Sequence, residues 1–392
     1  MSKHKISDFL ENYGDGIHGT PNYDENGTVY FINGNNLVNG KIQINANTLK
    51  ITEEEANKIK RDLNEKTLLL SINGTLGNIA LYNHEKITLG KSACFLNVKE
   101  EKDKIFLKYV LSTKEFKKYM QLVATGSTIK NLAPSQVANY EFELKDNVDK
   151  YKVSNLLSSI DNKIENNNKI NAELESLAKT IYDYWFLQFE FPNEEGKPYK
   201  SSGGKMVWNK ELKREIPEGW AVKKLNSIAN LYQPDILPSN LMKEDGKYFV
   251  YGANGIVGRY NKFNHEHPEI AICCRGASCG NYLMTLPKSW ITGNSMVVTP
   301  KDSSVTKEYL YHSLRYIDIK RYVTGSAQPQ ITRSNLDGIK VVIPPFKSLE
   351  HFSNKAEKIR NELIKNINEN NELSSLRDFL LPMLMNGQVQ FK

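Results

Sequence analysis

No run of 18 apolar residues occurs in the chain, and its opening stretch, Met1 to Leu10, is polar with no apolar centre. A helix needs about 20 apolar residues to cross a bilayer, so neither a membrane span nor a secretory signal is expected. Cysteine is scarce: Cys94, Cys273, Cys274 and Cys279 are the four in 392 residues. They are too few and too unevenly spaced for a disulfide framework, and a reducing cytoplasm is the expected setting. Core-forming residues are not scarce. Apolar residues make up 40% of the chain, with 20 Tyr and 15 Phe, against 25% charged. That composition excludes disorder as the main state and supports two or three domains.

Catalytic motifs are also missing, although several nearly form. Gly90-Lys91-Ser92 ends like a phosphate-binding loop, but Glu85 stands where the upstream glycine must be, so the backbone cradle is absent. Ile343-Pro344-Pro345-Phe346 has the Pro-Pro-aromatic run of an amino-methyltransferase loop. The first residue of that loop must accept hydrogen bonds from the target amine, which Ile343 cannot do. Asp235, with Asp245-Gly246-Lys247 downstream, mimics a PD-(D/E)xK nuclease, in which two carboxylates hold a metal and a lysine assists the attacking water. A self-contained nuclease on Asp235, Asp245 and Lys247 is the alternative reading of the chain. Cys273, Cys274 and Cys279 near His265 and His267 invite a zinc site, but no Cys-x-x-Cys pair is present and no metal is expected.

What the chain does carry is a charge bias and a repeat. Net charge is +7. Residues 1–149 hold 19 Lys+Arg against 19 Asp+Glu, whereas residues 192–348 hold 22 against 14. A local cationic surplus suits a polyanion, because neutralised phosphates release condensed counterions. Thr125-Gly126-Ser127 recurs as Thr324-Gly325-Ser326, and Glu173-Leu174-Glu175-Ser176-Leu177 as Glu372-Leu373-Ser374-Ser375-Leu376, both at an offset of 199. Gly74 with Gly77-Asn78 resembles Gly276 with Gly280-Asn281, at offsets of 202 and 203. The chain reads as two copies of one unit, each a globular part followed by a helix.

Steps of three and four from Leu157 reach Ile160, Ile164, Asn167, Asn171, Leu174, Ala178, Ile181 and Trp185. The same steps from Ala356 reach Ile359, Leu363, Asn366, Asn370, Leu373, Arg377, Leu380 and Leu384. Apolar residues every 3.5 positions make a coiled-coil seam, and asparagine at seam positions trades stability for register. Asn167, Asn171, Asn366 and Asn370 are the predicted register residues. Pairing within the chain, with the two helices antiparallel, is favoured for a duplicated unit. About 35 helical residues span on the order of 50 Å, enough to set two readers on one side of a duplex whose turn is about 34 Å.

The globular parts read as mixed α and β. The first has strands at Leu68–Ile72 and Asn78–Tyr82 and helical spacing over Lys104–Leu122. In the second, strands fall at Tyr248–Tyr251, Ile270–Cys273 and Ile339–Ile343, with a helix near Lys307–Tyr322. Pro192 to Gly219 is a connector rich in Pro, Gly and Ser. Arg275 follows a strand and precedes Gly276, Arg259 follows Gly258, and Arg315, Lys320, Arg321 and Arg333 cluster around Thr324, Gly325 and Ser326 of the repeated loop, with Gln328 and Gln330. Lys114, Lys117, Lys118 and Lys130, with Thr125, Ser127 and Thr128, are their counterparts in the first. Arg and Gln read guanine and adenine edges through paired hydrogen bonds, while Lys, Ser and Thr commonly hold phosphates.

With these features in place, the chain resembles the specificity subunits of type I DNA restriction-modification systems over essentially its whole length. The resemblance rests on the repeated seams and on the connector, Gly196-Lys197-Pro198-Tyr199-Lys200-Ser201-Ser202-Gly203-Gly204 through Ile216-Pro217-Glu218-Gly219-Trp220. It also rests on the end, Leu380-Leu381-Pro382-Met383-Leu384-Met385-Asn386-Gly387-Gln388-Val389, and on Tyr251-Gly252-Ala253-Asn254-Gly255-Ile256-Val257-Gly258 with Arg275-Gly276. The first copy departs from the pattern. It opens at Lys5-Ile6-Ser7-Asp8-Phe9 without an Ile-Pro-Glu-Gly-Trp motif, and has Leu144-Lys145-Asp146-Asn147 in place of a Pro-Pro before its helix. His351 stands where the family usually has Gln.

The resemblance implies an α+β fold with two mixed α/β target-recognition domains, duplicated about a pseudo-two-fold axis and separated by an antiparallel coiled coil of two long helices. It implies domains at 1–149 and 217–345, spacer helices at 150–191 and 346–392, and a connector at 192–216. Each domain would read half of a bipartite, asymmetric site in double-stranded DNA, and the helices would dock two modification subunits. Those partners would bring S-adenosylmethionine and methylate adenine at N6. Two restriction subunits, with ATP and Mg, would be further partners. The chain itself would be non-catalytic and bind no cofactor. Asn171-Ala172-Glu173-Leu174 resembles the short repeat whose copy number sets the unread gap in some members, and it occurs here once.

Overall fold

Strand Thr67–Ser71 is a run of Thr, Leu and Ser with every residue buried, as befits the inside of a sheet covered on both faces. In the computed structural model it pairs antiparallel with Ala93–Val98, Cys94 facing Leu70, and with Ile79–Leu81, Leu69 facing Ala80. Leu10–Asp15 adds the outer strand beside Ala93–Val98. Its counterpart around Ile270–Cys273, also wholly buried, pairs antiparallel with Ser295–Pro300 and Tyr282–Met284, and Ala229–Tyr232 adds the outer strand. The two four-stranded sheets therefore have the same order. Structure is described for residues 2–145, 148–252, 255–325 and 328–389. Ser326, the Asp146-Asn147 pair that departs from the family pattern, and Ala253-Asn254 of that pattern lie outside the described residues.

The duplication extends to the smaller ladders. Ser2–Lys5 pairs with Glu141–Leu144, and Ala221–Lys224 with Lys340–Ile343, so in each copy the first and last strands meet and close the domain. Val29–Ile32 lies antiparallel to Lys50–Ile51 and parallel to Ile87–Leu89. Tyr248–Gly252 lies antiparallel to Gly255–Tyr260 and parallel to Trp290–Ile291. The expected α+β class and its duplication are both present.

By contacts the chain divides into two compact units, Met1–Asn166 with Glu369–Lys392, and Asn167–Asn368. Each holds one globular domain and a stretch of both long helices, Lys150–Tyr182 and Phe346–Met385. Within the first unit Asp161 bonds Arg377 and Lys163 bonds Glu369. Within the second, Asn171 bonds Asn366, and Ala178 packs with Ile359 and Leu363. Rising numbers on one helix meet falling numbers on the other in both units, so the pairing is antiparallel. Arg377, out of place in an apolar seam, is accounted for by its ion pair with half-buried Asp161 at 2.9 Å. Among the described residues no helix is long and apolar enough to cross a membrane.

Two helices are shorter than their spacing suggests. Lys104–Leu122 is not one helix but two, Asp103–Ser112 and Lys114–Val123. Thr113 between them is extended, and its hydroxyl accepts from the Phe116 N–H, starting a new helix instead of continuing the old one. Lys307–Tyr322 likewise splits into a helix at Lys307–Leu314 and a single 3-10 turn at Ile319–Tyr322. The connector is no loose tether. It forms a hairpin, Met206–Asn209 with Arg214–Pro217, and Phe191 stacks on Tyr199 and packs against Trp220.

Candidate nucleic-acid interface

The repeated Thr-Gly loop takes the same form in both copies. In the first, Thr125 and Asn131 exchange backbone hydrogen bonds of 2.9 and 2.8 Å. In the second, Thr324 and Gln330 do so at 2.8 Å each. The glycine after each threonine has positive φ, +97° at Gly126 and +82° at Gly325, which non-glycine residues rarely adopt. Loop closure leaves no room there either: a Cβ on Gly126 would sit 2.2 Å from the Ile129 carbonyl oxygen, and one on Gly325 2.6 Å from that of Gln328.

A second loop, the glycine turn of the central sheet, is tied to the first by the backbone. Gly74 N–H donates to Lys130 O at 3.0 Å and Leu132 N–H to Ile72 O at 2.8 Å. In the other copy Gly276 N–H donates to Pro329 O at 3.1 Å and Ile331 N–H to Cys274 O at 3.0 Å. The result is a two-loop platform, built twice, with Asn73 opposite Asn131 in one domain and Arg275 opposite Gln330 in the other. Neither Asn73 nor Asn131 is among the residues the sequence singles out in the first copy, which are lysines and hydroxyls. The shared offsets, 202 from Asn73 to Arg275 and 199 from Asn131 to Gln330, were the signal that could have found them.

In the first domain, Lys114, Lys117 and Lys118 lie exposed on one face of the helix Lys114–Val123, three and four residues apart. Lys130, Ser127 and Thr128 are exposed on the loop. In the second domain Arg275, Gln328 and Gln330 are exposed on the paired loops, while Arg315 and Lys320 line a cleft of about 680 Å³ with Asn281, Tyr282 and Tyr316. Burial raises the Tyr282 phenol, although the Arg315 guanidinium beside it pulls the other way. Thr125 and Thr324 use their hydroxyls within the loop, on Asn131 O and Gln330 O.

The remaining arginines have partners of their own. Arg321 pairs with Asp318 at 2.8 Å and Arg333 with Asp337 at 3.9 Å. Both arginine side chains are largely exposed, and surface pairs of this kind are worth little in themselves. Arg259 is on neither loop. It stacks on Phe249 at 4.1 Å and donates to Gly246 O, which serves its own hairpin.

The Gly-Lys-Ser and Pro-Pro motifs that nearly match catalytic patterns serve the fold. Gly90-Lys91-Ser92 is a turn between two strands with no helix behind it, and the Ser92 hydroxyl donates to Asn33. Pro344 and Pro345 lead into the second long helix, where Pro345 O accepts from the first turn. Asp235, Asp245 and Lys247 are exposed on irregular segments. Cys273, Cys274 and Cys279 are buried thiols, their pKa values raised mainly by burial. Among the described residues no three His, Cys, Asp or Glu are grouped to hold a metal ion.

A family model described as the type I restriction modification DNA specificity domain matches residues 2–176 and again 217–373. Among curated relatives, a type I restriction enzyme specificity subunit of Methanocaldococcus jannaschii is 27% identical over 376 residues, covering 89% of this chain and 84% of that one. A putative type I specificity subunit of Mycoplasma genitalium is 27% identical over 344 residues, covering 82% and 81%. In fold, the chain is similar to the crystal structure of a type I restriction-modification S subunit from M. genitalium, with a TM-score of 0.57, 20% identity and coverage of 100% and 96%.

Proposed function

The chain belongs to the type I restriction-modification DNA specificity family, and from that membership we propose that it is the DNA-reading subunit of a type I restriction-modification complex. Each globular domain reads one half of a bipartite, asymmetric site. The observation that carries this reading is the two-loop platform built twice in one chain, with the same backbone pairing and different side chains. Equal scaffolds with unequal readers are what an asymmetric two-part site requires. The cations around each platform hold phosphates, and the amide and guanidinium groups at its centre face base edges.

The chain supplies recognition and no chemistry of its own. Two modification subunits dock on the paired helices and bring S-adenosylmethionine for N6-methylation of adenine. Restriction subunits, where they join, bring ATP and Mg, and the complex works in the cytoplasm. The test is a genome-wide map of N6-methyladenine in cells with and without this chain, beside an active type I modification subunit. A two-part motif with an unread gap, methylated only when the chain is present, is the expected result. Methylation independent of the chain would overturn the assignment.

A further inference from the structure

The two platforms differ most where their loops meet. Arg275 is exposed there, and among the described residues its guanidinium has no hydrogen bond or ion pair. Its backbone, by contrast, is fixed on both sides: Cys274 N–H donates to Asn294 O, Gly276 N–H to Pro329 O, and Arg275 O accepts from the Cys273 thiol. A free planar fork on a rigid base suits a base edge better than a phosphate. Paired bonds to guanine O6 and N7 need the planar fork of an arginine, aimed here by the fixed backbone beneath it, whereas a phosphate accepts any cation. Gln330, across the bridge, is exposed as well.

At the equivalent place in the first domain, Asn73 Nδ2 donates to Asn131 Oδ1 at 3.1 Å. That bond leaves the Asn73 carbonyl oxygen and the Asn131 amide group as an adjacent acceptor and donor. Adenine presents the complementary pair, its N6 donor and N7 acceptor. The Asn73 backbone is held in the same manner, with Ile72 N–H on Ser92 O at 3.0 Å and Gly74 N–H on Lys130 O.

We propose that the position shared by Asn73 and Arg275 is the base-specifying position of each domain. Arg275 with Gln330 reads a guanine in the second half-site, and Asn73 with Asn131 reads an adenine in the first. The inference rests on the DNA-reading assignment above and adds which residues set the sequence.

The test uses the full chain assembled with a type I modification subunit, mapping the methylated motif for wild type, Arg275→Ala, Arg275→Lys and Asn73→Ala. Arg275→Ala is expected to relax one position of one half-site, where guanine is required in wild type, by on the order of 10- to 100-fold. The other half-site stays unchanged. Arg275→Lys keeps the charge and loses the fork, so it relaxes the same position with little change in salt dependence. Asn73→Ala relaxes one adenine position in the opposite half-site. An unchanged motif at wild-type rates would overturn the proposal. So would a uniform loss across all sequences that Arg275→Lys restores, since that makes Arg275 a phosphate contact. Absence of any bipartite motif with the wild-type chain would instead overturn the assignment beneath it.

Discussion

Gly126 and Gly325 each hold a loop closed in a conformation that alanine tolerates poorly. Gly126→Ala or Gly325→Ala adds about 1–2 kcal/mol of backbone strain before the clash with the carbonyl oxygen three residues on is counted. Because both loops are at the surface, each variant is expected to stay folded, with a thermal midpoint close to wild type. Methylation by the assembled complex should slow, and discrimination should weaken in one half-site only. His312 sets a pH response at the same scale. It is buried beneath Tyr182 and Phe352, and burial, reinforced by the Arg360 and Arg315 charges, pushes its pKa down to about 3. In the unfolded chain it protonates near pH 6.5. As pH falls through that value the unfolded state takes up a proton that the folded state refuses, so stability drops until about pH 3. Unfolding free energies from urea titrations at pH 7 and pH 5 should differ by up to about 2 kcal/mol from this group, and His312→Gln should remove that part of the difference. The cations proposed to contact DNA are those the sequence offers by type and clustering. The side-chain hydrogen bond between Asn73 and Asn131 was not legible, because those residues are 58 apart in the chain and meet only through the folded backbone, whereas the partners of Arg321 and Arg333 lie three and four residues away.

Among the elements, the long helices were the most legible, since only a packed helix face keeps a period of 3.5 over so many turns. Asn171 and Asn366 meet at 2.9 Å inside the second unit. Replacing Asn366 with leucine strands the Asn171 amide in a half-buried seam and should cost about 1–3 kcal/mol. Replacing both should cost less than the two single changes together, which thermal melts of the four chains in a double-mutant cycle will measure. Helix ends were less legible. The apolar spacing of Ile105, Tyr109, Phe116 and Met120 fits one helix, yet Thr113 breaks it. A threonine hydroxyl that caps a new helix competes with continuation, and spacing does not report which of the two the packing favours.

At the scale of the whole chain, charge governs association more than fold. Converting Lys114, Lys117 and Lys118 to glutamine removes three exposed cations from one helix face. DNA affinity should fall for every sequence alike, and the slope of log affinity against log salt should shrink by about 2–3. Fluorescence anisotropy over a salt series with the assembled complex measures both, and an unchanged slope would place that face away from DNA. The 199-residue offset, the apolar runs and the seams determined by themselves that the chain is duplicated, mixed α and β and held by paired helices, because buried strands leave apolar runs and coiled coils leave a period of 3.5 in the residues that form them. Only the tertiary structure decided which loops stand side by side. Asn131 pairs with both Thr125 and Asn73, and Gln330 with both Thr324 and Arg275, through backbone hydrogen bonds that any side chain can make. Bonds of that kind leave no periodic trace in a sequence, so the reading face emerges only once the chain has folded.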